Sequence, residues 1–212
     1  EQAIRLAADP AENPAYAEAL NLTTMTRLTR ALHHAHYTFE RRISHTADSQ
    51  DQRHRMAPGS RPVLTAHLFD APDVIHPMPV IADETCRAFF DEAMEKTWQG
   101  IGELRRHGVS NEALVYLLPN AVAVRFAESA DFLALRHKHA MRLCFNAQEE
   151  IWRASLDEAR QVREVHPLLG QFLQAPCSHR HRAGRKPPCP EGSRYCGVPV
   201  WRLQDEDLDR TI

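Results

Sequence analysis

The sequence predicts an α+β fold, with a small antiparallel sheet covered by long helices and a cysteine-rich C-terminal tail. Three observations lead there. The segment His36-Tyr37-Thr38-Phe39-Glu40-Arg41-Arg42-Ile43 alternates with period two: Tyr37, Phe39 and Arg41 share one face, Thr38, Glu40 and Arg42 the other. That is the pattern of a half-buried strand. Apolar residues elsewhere recur every three or four positions, the helical period. Between these patterns Pro58, Gly59, Pro62, Pro72, Pro77 and Pro79 mark a long loop over 57–79, because proline at that density prevents continuous helix.

Taken in order, residues 1–13 hold a helical turn that Pro10 interrupts. Tyr16, Leu20, Leu22, Met25, Leu28 and Leu32 predict an amphipathic helix ending near Leu32. The strand follows at 37–42, and a short strand is expected at 63–69 within the loop. Asp83-Glu84 opens a helix that runs through Phe89, Phe90, Ala93, Met94, Trp98, Ile101 and Leu104. Its acidic start and its Arg105-Arg106-His107-Gly108 end both complement the helix dipole and cap. Ser110-Asn111-Glu112 starts a short helix that stops by Leu118-Pro119. A last, long helix is expected from about 130 to 164, ended by Pro167. Its inward side carries Phe132, Leu135, Leu143, Ala147, Ile151, Trp152 and Leu156. No internal repeat is present. The expected division is a domain over 1–170 and a Cys/His-rich tail over 171–212.

Composition bounds the function. The chain has 212 residues and a net charge of -2, so no global basic field argues for a nucleic-acid partner. No apolar run approaches the roughly 20 residues that cross a bilayer, and no signal-peptide pattern is seen. Five cysteines, an odd number, are not a secreted disulfide framework; a reducing cytoplasm fits better. The chain begins at Glu1, already in a helical pattern, which suggests a piece of a longer polypeptide. Thirteen histidines are many for this length, and histidine both titrates near neutrality and ligates metals.

The stretch Gln50-Asp51-Gln52-Arg53-His54-Arg55 is a short basic knot placed after the predicted strand. Such a run is either a solvated face, with Arg53 and Arg55 pointing one way and His54 the other, or a place where an anion collects the charge. Arg142 is a second conspicuous residue, set among Met141, Leu143 and Cys144 in the long helix. A guanidinium there needs an acceptor. It either pairs with a carboxylate such as Glu150 or Asp131, or grips the flat edge of a ligand with its planar fork.

Three motifs then resemble one family in order and at the right distances, over roughly residues 20–165. His34-x-x-Tyr37-Thr38-Phe39 followed by Gln50 and Arg53-His54-Arg55 resembles the opening signature of the flavin-dependent thymidylate synthases (ThyX). Glu112-x-x-x-x-x-Leu118-Pro119 resembles their E-x-A-R-x-x-L-P segment. Arg142-Leu143-Cys144-x-x-Ala147-Gln148-x-Glu150-Ile151 resembles their L-R-x-x-x-x-A-Q-x-E-I helix. The resemblance implies a ThyX-like homotetramer with flavin at the subunit interfaces. It implies reductive methylation of dUMP to dTMP with FAD, NADPH and methylenetetrahydrofolate. It also assigns roles: Arg142 to bind the pyrimidine and favour ionisation of its ring nitrogen, Arg53, His54 and Arg55 to lie against flavin and nucleotide, and Gln50 to touch the nucleotide. His34 matches the first residue of the H-x-x-F-T-F segment, as a cofactor neighbour or as a packed, hydrogen-bonded histidine.

The sequence departs from that family in its phosphate-binding parts. Pro58 and Val63 stand where the signature loop has serines, and Thr65 where it has an arginine. Arg61 stands at a position that is usually acidic, and Val115 replaces the arginine of E-x-A-R. Losing two arginine forks removes charge-assisted bonds each worth about 1.5–3 kcal/mol. Arg61, Arg125 and Arg136 are available as substitutes. Two alternatives follow: a non-catalytic ThyX-derived binding or structural module of a larger protein, or a flavoenzyme with a different substrate.

The tail carries Cys177, His179, Cys189 and Cys196 in proline- and glycine-rich sequence. These four could form a tetrahedral, structural zinc site, or the cysteines could be free thiols. Some ThyX-like proteins end in a similar C…CPEG…CG tail.

Overall fold

The structure, a computed structural model, describes residues 1–17 and 27–210. Its regular elements in chain order are α1 (Gln2–Ala8), α2 (Arg27–Arg30), β1 (His36–Ser44), α3 (His45–Asp51) and β2 (Gly59–Ser60). Then come α4 (Met78–Ile81), α5 (Glu84–Arg106), α6 (Asn111–Leu114) and β3 (Ala123–Asp131). The remainder is helical: α7 (Phe132–Arg142), α8 (Glu149–Val165), α9 (Pro167–Gly170) and α10 (Pro176–Arg182). The strands form one sheet in the order β1-β3-β2, with β2 antiparallel to β3 in the register Gly59↔Glu128 and Ser60↔Ala127. The α+β class with a small antiparallel sheet is therefore as the sequence predicts.

The chain divides into two compact units. The first takes the described residues of 1–39, 54–58 and 129–211; the second takes 40–53 and 59–128. Strands β1 and β3 each pass from one unit into the other along the chain. The core of the first unit gathers Leu32, Phe39, Phe132, Leu135, Trp152, Leu156, Phe172 and Leu173. Phe172, Leu173, Cys177 and Val200 belong to this core, so the compact unit takes in the tail rather than stopping at 170. The expected helix from Tyr16 to Leu32 lies partly outside the described residues. Its described parts are 3-10 turns at Pro14–Ala17 and Ala31–His34 with α2 between.

Three expectations change. β3 is absent from the sequence reading, although Val124, Phe126, Glu128 and Ala130 are buried in alternation with exposed Arg125, Ala127 and Ser129. Its inward face holds a carboxylate, Glu128, which receives buried Arg41 at 3.3 Å alongside Asp51 at 2.8 Å. A buried charge is tolerated when it is paired in this way. The long last helix is two, broken over 143–148. The Asp131 carboxylate caps α7 by accepting from Ala134 N–H, and Gln148 Oε1 caps α8 by accepting from Ile151 N–H. Trp152 Nε1 donates to the Leu143 carbonyl that α7 leaves open. The short strand expected at 63–69 is instead a 3-10 turn, Leu64–His67.

In the second unit, Asp83 and Ser110 cap α5 and α6 as their sequences predict. Trp98 and Ile101 are the buried side chains of α5, and Trp98 Nε1 donates to the Phe69 carbonyl. Phe89 on the same helix is 74% exposed.

Candidate functional site

The basic knot does not sit at the end of β1. Ser44 closes the strand and caps α3, its Oγ accepting from Ala47 N–H. Helix α3 therefore lies between the strand and residues 53–55, with exposed Gln50 in its last turn and Asp51 turned inward to Arg41. Arg53 and Arg55 are exposed, whereas His54 is half-buried. The tripeptide is thus split: two guanidinium groups to solvent and one imidazole inward.

His54 belongs to the first unit and packs against α7. Its ring lies 5.1 Å from that of His137, tilted by 35°. Burial holds its pKa down to about 4, helped by the charges of His137, Lys138 and Arg142 and opposed by a hydrogen bond to the backbone of Ala134. At neutral pH His54 is therefore a neutral imidazole, so the expected row of three cations is a row of two. Its Nε2 is buried without a hydrogen-bond partner. An unsatisfied buried nitrogen is unfavourable unless a ligand completes it, which makes His54 a candidate to receive one.

Arg142 does not lie mid-helix. It is the last residue of α7, half-buried, directly before the break. It ends the same helix against which His54 packs through His137. The Asp131 carboxylate, one acceptor considered for Arg142, is occupied by His33 Nδ1 at 2.7 Å and by its capping role. His34 is exposed at the end of a 3-10 turn, so the packed role falls to its neighbour His33. Gln50 and Arg53 lie in the second unit.

Sequence reasoning missed the basic face of α7. Arg136, Lys138 and His139 are all buried. Lys138 Nζ meets Glu158 on α8 at 3.2 Å, and His139 Nε2 lies 3.4 Å from the same carboxylate. Arg136 stacks 4.3 Å over the Tyr16 ring and donates from Nη2 to the Tyr16 carbonyl. Burial lowers the Arg136 pKa to about 10. The signal was visible as Arg136-His137-Lys138-His139, four basic residues in a helix whose other positions are mostly apolar.

The candidate substitutes for the missing phosphate ligands are engaged internally. Arg61 Nε binds Asp48 at 2.6 Å, with its guanidinium 4.1 Å over the Phe126 ring. Arg125 and Arg42 both bind Asp73. Arg136 is committed to Tyr16. Val63 is 72% exposed, and Val115 begins a 3-10 turn after α6.

Among the described residues, no group of three or more histidine, cysteine or acidic side chains is gathered so as to hold a metal ion. His179 is buried with both ring nitrogens unpartnered, and burial with the charges of Arg136 and Arg182 holds its pKa far down. A cavity of about 230 Å³ opens beside Leu143, Trp152, Arg163, Ser178, Val200 and Asp205, and none of the expected site residues lines it. No helix among the described residues is long and apolar enough to cross a membrane.

Comparison with known proteins agrees with the motifs. Residues 7–168 match the family described as "Thymidylate synthase complementing protein". A flavin-dependent thymidylate synthase of Geobacter sulfurreducens is 31% identical over 78% of this chain and 70% of its own length. One from Sulfurisphaera tokodaii is 29% identical over 69% of this chain, a match spanning only 57% of that relative. Among solved structures, Helicobacter pylori ThyX with FAD and dUMP superposes with a TM-score of 0.57 over 70% of this chain and 78% of that one, at 19% identity. The protein is a member of the thymidylate synthase complementing protein family, that of the flavin-dependent thymidylate synthases.

Proposed function

We propose that the protein binds FAD and methylates dUMP reductively to dTMP, with NADPH as reductant and methylenetetrahydrofolate as carbon donor. The observation that carries this reading is the family match over residues 7–168, within which His54 packs beside His137 on α7, the helix that ends at Arg142. His54 and Arg142 are the residues that the family resemblance ties to flavin and to pyrimidine. Unpartnered His54 Nε2 suits a ligand that offers a polar atom. Bound FAD would supply the hydride. Arg142 would hold the pyrimidine edge with its planar fork and favour the ionised ring. Exposed Arg53 and Arg55 would supply positive charge near an electron-rich ring, while neutral His54 would contribute a hydrogen bond rather than charge. No protein nucleophile is required. Assembly as a homotetramer, with the flavin shared between subunits, belongs to the same proposal.

The phosphate side of the substrate is where this chain differs. With Val115 and Thr65 in place of arginines, and with Arg61 and Arg125 bound to Asp48 and Asp73, little discrimination between dUMP and deoxyuridine is expected. The test is a purified sample examined for a flavin absorption band, followed by release of tritium from 5-labelled dUMP with NADPH and methylenetetrahydrofolate. Arg142→Ala should keep its fold and its flavin and lose pyrimidine binding. A colourless protein that takes up no added FAD would overturn the flavin reading. Flavin binding without tritium release would overturn the thymidylate synthase reading.

A further inference from the structure

Four of the five cysteines lie in segments that hydrogen bonds and one core hold together, and they are not the set that spacing suggests. Cys144 lies in the turn after α7, Cys177 in the first turn of α10, and Cys189 and Cys196 in the irregular chain that follows. Cys177 is buried in the core of the first unit and Cys189 packs against that core. Two side chains pin the segments together. Asn146 Nδ2 donates to the Arg194 carbonyl at 2.6 Å, joining the Cys144 turn to the approach to Cys196. Arg180 Nε donates to the Pro188 carbonyl at 3.2 Å, joining α10 to the residue before Cys189. The thiols sense one another electrostatically: Cys177 feels Cys144, Cys189 and Cys196, and Cys144 feels Cys189 and Cys196. Cys86 stands apart, exposed on α5.

Backbone donors and tight turns shape the surroundings of these cysteines. Backbone N–H groups of Asn146 and Ser178 point at the sulfurs of Cys144 and Cys177. Gly192 and Gly197 take positive φ, 57° and 83°, so the chain turns tightly after Cys189-Pro190-Glu191 and again after Cys196. We propose that Cys144, Cys177, Cys189 and Cys196 bind one structural zinc ion, which ties the turn after Arg142 to the C-terminal tail. Binding releases the thiol protons as four zinc–sulfur bonds form. The described side chains do not yet enclose an ion. Cys189 and Cys196 lie in irregular chain, outside any helix or strand, so binding would require their side chains to adjust. All four positions would be filled by protein, which makes the ion structural rather than catalytic.

The inference does not depend on flavin or nucleotide binding. The untagged protein is purified, dialysed and analysed for metals. About one zinc per chain is expected, falling below half in Cys144→Ser and staying unchanged in Cys86→Ser. Replacement by cobalt(II) should give the intense thiolate absorption of a tetrahedral sulfur site. Because Cys144→Ser could fail to fold, native thiol labelling supplies a second measurement. Cys86 should react at once, and the four others only after chelation. Wild-type zinc below about half an equivalent, iron with inorganic sulfide instead of zinc, full zinc in Cys144→Ser, or labelling unaffected by chelation would each overturn the assignment.

Discussion

Lowering the pH from 7 to 5 is expected to weaken the fold through His54 before any carboxylate responds. In the folded protein the His54 pKa is about 4; in an unfolded chain it is about 6.5. Between those values the unfolded state binds more protons, so stability rises with pH across the window. The contribution is fully present above pH 6.5 and is lost as the pH falls from 6.5 to 4. The whole shift corresponds to roughly 3 kcal/mol, of which about 2 kcal/mol is gone by pH 5. Buried His179, whose pKa is also depressed, pulls in the same direction. Asp9 and Asp73, held low chiefly by hydrogen bonds from Arg182 and Arg125, lose their contribution only below the ordinary carboxylate range. The two kinds of group therefore separate on the pH axis. The assay is urea denaturation of flavin-free protein at pH 7 and pH 5, in wild type and in His54→Gln. The variant should lose about 2 kcal/mol less than the wild type over that interval, at an unchanged m-value. Equal losses in the two proteins would refute the assignment of a buried, neutral imidazole.

The Lys138–Glu158 pair predicts an asymmetry. Lys138→Met leaves a buried carboxylate and should cost about 3–5 kcal/mol, whereas Lys138→Met with Glu158→Leu should recover most of it, as read by denaturant midpoints. No recovery in the double variant would argue against burial as the source of the cost. Two glycines should respond oppositely to alanine. A Cβ on Gly170 would come within 2.6 Å of the Arg163 backbone, so Gly170→Ala should destabilise by about 1–3 kcal/mol. Gly100, in the interior of α5 with nothing within 4 Å, should gain about 0.5–1 kcal/mol as alanine. Thermal melting of both variants checks the pair.

Much of the secondary structure was legible because single residues announce it. Asp83 and Ser110 cap their helices where the sequence places them, Pro167 closes α8, and the alternation of 37–42 is a strand. The misses share a cause. Leu143, Ile151 and Trp152 continue the helical period across 143–148, so periodicity alone runs two helices into one. The break is marked by Gln148, a less common cap. In β3 the inward series includes Glu128, which reads as polar until Arg41, 87 residues earlier, is seen to neutralise it.

The site divides along the same line. The sequence by itself determined the family, because three motifs keep their order and spacing, and it named 53–55 and 142 as the candidate site residues. Only the tertiary structure decided their states. His54 is neutral because folding buries it against a basic helix; Arg61 and Arg125 are engaged because folding brings acids to them; and the turn that holds Cys144 meets the tail because Asn146 binds the Arg194 carbonyl. Charge, protonation and ligand grouping depend on distances between residues far apart in sequence, and those distances exist only once the chain has folded.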